Sequence, residues 1–388
     1  MQLSETRLDM NIVGIVAEFN PFHDGHQHLI NTVKEQLHPD GIIVIMSGDF
    51  VQRGTPAIYD KYTRTKKALL SGADLVIELP AHYALSSAEE FAFGAVSILH
   101  SLGIIHTLAF GVETASAYPS KIPYLTLADF LLNEPVAYQN LLQNYIKSGN
   151  SYPVARKKAL FDYAAQNESI KPFLSLLDTP NNILAIEYAK AVLKLKSPIT
   201  LHPIKREGTI SAHRIRDSRM QQSQHGIFMN DYTIPFHWKL ANTNKKPDIC
   251  DFSTELYQRL LQIYEPSKPL LQLIDDCKTK QYTYSRISRC FMRFLLDLDS
   301  DNTKLCWDFA RILGFRKDCS KIIAYMKKSS KIPVIQKINS DTKTLSFAYQ
   351  NAIHMNNLCH NRYAAIAAQK YGEIWHLEKE EQQGIIMV

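Results

Sequence analysis

The residues best suited to chemistry are two histidines three apart, in the stretch Glu18-Phe19-Asn20-Pro21-Phe22-His23-Asp24-Gly25-His26. They follow a near-continuous apolar run, NIVGIVAEF (11–19), and a break at Asn20-Pro21. They precede a helical pattern in which His26, Ile30, Val33 and Leu37 share one face. Histidines at this spacing lie near one face of the first helical turn. The N–H groups of a helix N-terminus attract phosphate. Imidazoles add donors aimed at phosphate oxygens, and Gly25 lets a ligand come close to the backbone. Such a site suits stabilising charge on an α-phosphate while pyrophosphate leaves. Two other readings stand beside it. The histidines would make a metal pair if Asp24 or Asp49 supplied an acidic third ligand, or they would merely cap a helix.

The elements that must position this loop follow from the hydrophobic pattern. GIIVIMSG (41–48), ADLVIELP (73–80) and IIHTLAFG (104–111) repeat the apolar run of a buried parallel strand. Helical patterns lie between them, over Asp60 to Leu70 and Ser86 to Leu102. Strands separated by helices predict an α/β, doubly wound parallel sheet of Rossmann-like type. Residues 114–180 read as helical and polar, broken by prolines. NNILAIEYAKAVLKL (181–195) reads as an amphipathic helix, and ITLHPIKRE (199–207) as a strand returning to the sheet. From about residue 245 the pattern is almost wholly helical. We therefore expect a catalytic domain over 1–240 and a helical, basic domain over 241–388.

Composition narrows the class. The 388 residues are 45% hydrophobic and 10% aromatic, which gives enough apolar content for a core and excludes a disordered or collagen-like chain. No apolar run reaches the ~18 residues of a membrane span, and the first ten residues lack the apolar centre of a signal peptide, so the chain reads as cytoplasmic. The six cysteines form no CxxC pair, which points to reduced thiols and to no zinc framework. The net charge of +6 is unevenly spread: residues 1–113 carry seven basic and 13 acidic side chains, leaving +12 on the rest. A basic C-terminal part is compatible with RNA and equally with an ordinary basic surface.

The strings around the histidines make a more specific case. HDGH (23–26) resembles the HxGH signature of the HIGH nucleotidyltransferase superfamily. GIVAEFNPFHDGHQHL (14–29), GDFVQRGTPAIYDKYTRTKKALLSGADLVIELP (48–80), FGVE (110–113), NNILAIEY (181–188), QYTYSRI (281–287) and RILGF (311–315) resemble the tRNA(Met) cytidine acetate ligase family over nearly the whole chain. The resemblance implies an ATP-dependent ligase that forms acetyl-adenylate. It would then acetylate N4 of the wobble cytidine of elongator tRNA(Met), with Mg²⁺ screening the triphosphate. It implies that His23 and His26 act on the phosphates. ATP would be bound by Val16, Ala17, Glu18, Phe19, Asn20, Pro21, Phe22, Asp24, Gly25, Gln27, His28 and Leu29, and by Gly111, one or both of Asn181 and Asn182, Arg206 and Arg216. No resident metal ligands are implied.

The segment between the KR pair and SAHRIR (211–216) departs from the family pattern. Only Glu207-Gly208-Thr209-Ile210 intervenes, and His213 and Arg214 replace small residues. A small-molecule adenylyltransferase and a non-catalytic RNA-binding relative are the alternatives. Elsewhere, GDFVQRG (48–54) would turn Asp49, Gln52 and Arg53 to the site. Lys61, Arg64, Lys66 and Lys67 form either a solvated face or a tRNA contact. Arg286, Arg289 and Arg293 make a basic stripe behind Tyr282 and Tyr284, and Lys317, Lys321, Lys327, Lys328 and Lys331 add charge near Pro333.

Overall fold

Small and β-branched side chains make Ile12–Ala17 (β1) a strand that is buried on both faces. The same holds for Gly41–Ser47 (β2), with the short antiparallel pair Phe50–Val51 (β3) and Thr55–Pro56 (β4) after it. Leu75–Leu79 (β5), Ile105–Val112 (β6) and Thr200–Lys205 (β7) complete the parallel set. The computed structural model describes residues 10–113, 120–206, 225–300, 305–372 and 379–388. Among these, Ala310–Phe315 (β8), Val334–Ile335 (β9) and Ile386–Met387 (β10) join the same sheet. Its order is β10-β8-β5-β2-β1-β6-β7, with β9 also on β8.

The strands from β5 to β7 are all parallel, in register Ile12↔Gly41, Ile43↔Leu75 and Thr107↔Thr200. Helix α1 (Asp24–Leu37) joins β1 to β2, and α2 (Lys61–Leu70) leads into β5. The helix Ala88–Leu102, capped by the Ser87 hydroxyl and ended by the left-handed Gly103, crosses from β5 to β6. Alternation along β2 shows how the layers form. Ile42, Val44 and Met46 pack with Ile30 and Val33 of α1, whereas Ile43 and Ile45 pack with Ala95 and Leu99 on the other face. The strand order reverses between β1 and β6, so the carboxyl ends of those two strands flank a crevice.

The expected doubly wound sheet is present, and residues 241–388 are not solely helical. β8 runs antiparallel to β5, with Leu75↔Phe315, so the sheet crosses the expected 240/241 division. Helices from Thr233 to Leu295 and the long helix Phe347–Tyr371 build a second core around Phe236, Phe291, Phe309 and Tyr363.

Candidate active site

The loop from Glu18 to His23 leaves β1 at the strand-order reversal and turns into α1. Phe19 adopts a left-handed φ of 46° and is buried. Its ring packs 4.9 Å from those of both Phe22 and His26. His23 is the N-cap of α1: the Gly25 N–H donates to its Nδ1 at 3.1 Å, while the His23 N–H donates to His26 Nδ1 at 3.2 Å. The two rings stack with centroids 3.8 Å apart. With both Nδ1 atoms acting as acceptors, each neutral ring carries its proton on Nε2. Burial among these rings, with His23 and Arg206 adding to it, holds the His26 pKa well below the ordinary histidine value. His26 is therefore a neutral Nε2–H donor at physiological pH. The cap and the donor are two ends of one ring, so capping and phosphate chemistry are compatible.

Gly111 stands near the carboxyl end of β6 beside Ile204 of β7. A Cβ there would sit 3.0 Å from Cγ of Arg206, which follows β7 and donates its N–H to the Val112 carbonyl. The helix Pro180–Lys194 starts across the same crevice. Asn181 is half-buried, and its amide donates to the carboxylate of Glu113, just after the carboxyl end of β6, which also accepts from the Thr179 hydroxyl at 2.9 Å. Asn182 is fully buried, and among the described residues neither its amide oxygen nor its nitrogen has a hydrogen-bond partner. An amide in that state carries a desolvation cost that a bound ligand would relieve.

Other expected residues serve the loop's own structure through their side chains. The Glu18 carboxylate accepts the Gln52 N–H at 2.9 Å. Asn20 accepts from the Ile58 N–H at 2.8 Å, Gln27 donates to the Ser71 carbonyl at 2.9 Å, and His28 meets the Thr32 hydroxyl at 3.4 Å. Val16 and Ala17 end β1, Pro21 is buried, Asp24 is exposed at the start of α1, and Leu29 packs on the sheet. Arg216, with the whole 207–216 departure, lies outside the described residues.

Three expectations need correction. Lys61 and Arg64 face neither solvent nor RNA: they are 0% and 2% exposed. Arg64 donates to the carbonyls of Glu18, Ser47 and Gly48, tying the ends of β1 and β2 together. Lys61 enters a buried ionic network. It pairs with Glu78 at 2.9 Å and Glu380 at 2.6 Å; Arg311 pairs with the same two carboxylates; and His360 bridges Asp49 at 2.7 Å and Glu380 at 2.9 Å. Asp49 is thus structural and does not face the crevice. Arg293 is also buried, donating to the His82 carbonyl and the Ser86 hydroxyl, so the basic stripe shrinks to Arg286 and Arg289. The lysines from 317 to 331 flank the helix Ser320–Ser329, and the Lys331 N–H bonds to the Ser101 carbonyl. That places them at the end of the sheet where β6 begins, opposite the crevice. Among the described residues no group of three histidine, cysteine or acidic side chains could hold a metal. All six cysteines are free thiols. The sequence reading missed the roles of Glu113, which holds Asn181 from its place just after β6, and of Arg64, whose tethering has no local sequence signal.

A model of the HIGH Nucleotidyl Transferase family matches residues 10–227 and 211–374. The tRNA(Met) cytidine acetate ligase of Clostridium novyi is 37% identical, covering 90% of this chain and 96% of its own. That of Clostridium acetobutylicum is 38% identical, covering 85% and 91%. The chain belongs to the tRNA(Met) cytidine acetate ligase family. Thermotoga maritima TmcAL, solved with alpha-thio ATP bound, superposes with a TM-score of 0.85 at 26% identity, covering 98% of this chain and all of that one. Membership of the acetate ligase family also accounts for a helical C-terminal part built onto a nucleotidyltransferase sheet.

Proposed function

We propose that this chain joins acetate to tRNA at the expense of ATP. It forms acetyl-adenylate and then N4-acetylcytidine at the wobble position of elongator tRNA(Met). The observation that carries the reading is the stacked His23–His26 pair, with its tautomers set by two backbone N–H groups at the strand-order reversal. In the first step an acetate oxygen attacks the α-phosphorus, and the bond to pyrophosphate breaks. The Nε2–H donors and the N–H groups of α1 hold the negative charge that builds on the phosphate oxygens. The carboxylate is itself the nucleophile, so no protein nucleophile is required. In the second step N4 of the cytosine attacks the acetyl carbonyl, AMP leaves, and the N4 proton is released.

ATP would be held by residues of Val16–Leu29, with Gly111 leaving room for the nucleotide beside Arg206. One or both of Asn181 and Asn182 would contact the nucleotide, Asn181 from beside Glu113 and Asn182 from the buried first turn of the same helix. Arg216 would complete the triphosphate contacts. Mg²⁺ would arrive on the triphosphate, since such an ion is held mainly by phosphates and water and, among the described residues, no group of three metal-binding side chains awaits it. The nucleotide step falls to residues 1–240, and 241–388 share tRNA handling with helices of the first part. No described helix is long and apolar enough to cross a membrane, and the proposed tRNA substrate places the work in the cytoplasm.

The test is nucleoside mass spectrometry of elongator tRNA(Met), unmodified at the wobble base, after incubation with the protein, ATP, Mg²⁺ and labelled acetate. Labelled N4-acetylcytidine is expected. Pyrophosphate release that needs a small phosphorylated metabolite, with no label on tRNA, would overturn the reading in favour of adenylyl transfer.

A further inference from the structure

A cleft of ≈ 1370 Å³ opens beside the catalytic loop, between the helices Tyr152–Ala164 and Tyr284–Leu295. Gln52 lines it, and the Gln52 N–H is the group that holds the Glu18 carboxylate, five residues before His23. We propose that this cleft seats the unpaired RNA strand that carries the acceptor cytidine. The inference rests on the acetate ligase reading and assigns the strand a place.

One wall is cationic by construction. Gly54, at φ 81°, lies against the backbone of Ser288 and Arg289, where any Cβ would come within 2.3 Å of the Arg289 nitrogen. The Ser288 hydroxyl donates to the Gly54 carbonyl at 2.8 Å. This backbone-to-backbone approach places Arg53 beside Arg286 and Arg289, and all three line the cleft. The opposite wall is aromatic and cationic. Tyr152 and Phe161 are 49% and 45% exposed, although both are large and apolar, and the Lys157 ammonium lies 5.8 Å from the Phe161 ring centroid while pairing at the surface with Asp178 at 2.6 Å, a partner a phosphate can displace. Small-molecule pockets run to about 300–1,000 Å³, so this space takes a segment larger than a single metabolite. Aromatic faces opposite guanidinium groups are what unpaired bases and their phosphates require, whereas a duplex keeps its base faces stacked away from protein rings. The cations at 317–331 lie at the far end of the sheet, so they do not compete for a strand that must reach His23 and His26.

The test uses the full chain with elongator tRNA(Met) transcript as probe, read by fluorescence anisotropy, and with ATP binding measured separately. Phe161→Ala should weaken tRNA binding about tenfold, as loss of one base–aromatic stack does. Phe161→Tyr should restore it, and ATP binding should not move. Lys157→Gln should lower the slope of log affinity against log salt by about 0.7, the value for one phosphate contact on a single strand. If Phe161→Ala and Tyr152→Ala leave tRNA affinity within twofold while tRNA is still acetylated, the strand lies elsewhere and the inference fails alone. An acidic protein segment as the occupant would give that same indifference to tRNA. If the unaltered protein binds ATP but no tRNA, the acetate ligase reading fails with it. Should an alanine variant not fold, the salt slope of Lys157→Gln decides.

Discussion

Replacing His26 by asparagine separates the two jobs of its ring. The structure gives Nδ1 to the His23 N–H at 3.2 Å and leaves the proton on Nε2. Asparagine Oδ1 falls near the position of Nδ1, so His26→Asn keeps the capping-box acceptor and removes the distal donor. Alanine removes both. An N-terminal cap contributes about 1 kcal/mol to stability. A donor aimed at developing charge contributes about 2.7–4 kcal/mol to catalysis, or 10²–10³ in kcat. His26→Asn should therefore unfold in urea within a few tenths of a kcal/mol of the parent and lose 10²–10³ in the rate of tRNA acetylation. His26→Ala should lose a comparable rate and about 1 kcal/mol of stability as well. The assay is initial rates at saturating ATP, acetate and tRNA, beside urea unfolding of each variant. Near-parental rates for His26→Asn, with a collapse only for His26→Ala, would refute the donor role and leave His26 as a cap.

Asn182→Ala should not lower the stability of the nucleotide-free protein, since its amide is buried without partners, yet should weaken ATP binding roughly 5–10-fold, the worth of one or two hydrogen bonds; calorimetric titration and thermal unfolding check the two signs. Gly111→Ala should raise the ATP Kd by displacing Arg206, whose Cγ would be 3.0 Å from the new methyl group. His360 is buried, which alone would lower its pKa, but Asp49 and Glu380 outweigh burial and the Lys61 charge and raise it to about 9. A raised histidine stabilises fully below its unfolded value of ~6.5, and that stability is lost as pH rises through about 9. The span corresponds to about 3 kcal/mol, so urea midpoints should fall between pH 7 and 9.5, and His360→Gln should flatten that decline.

The parallel strands at the centre of the sheet were legible because they are nearly unbroken apolar runs, as in GIIVIMS, and the single Glu78 in LVIEL did not hide β5. β8 was not, because Arg311 interrupts ARILGF. Its counter-charges, Glu78 and Glu380, come from β5 and the C-terminal segment, which sequence spacing does not connect. The same long-range pairing hid Lys61, Arg64 and Arg293: a cation on a helix reads as solvated until the fold supplies buried carboxylates or carbonyls. The histidine loop was readable because its partners are two and three residues away. The partner of Asn181 was not, because Glu113 lies 68 residues away.

The buried network sets an order of events during synthesis. Tyr62 and Glu380, which meet at 2.8 Å, are 318 residues apart. At 5–20 residues per second the ribosome needs roughly 15–60 s between the two. Through that interval Lys61 cannot be buried next to Glu380, and until Ala310–Phe315 emerges β5 has no β8 along its edge. The nucleotide half gains the strand that covers β5 first, and the carboxylate that completes the buried charge network only later. A message cut short between codons 315 and 380 would therefore yield a chain that keeps β8 but lacks the Glu380 carboxylate, leaving Lys61, Arg311 and His360 one partner short.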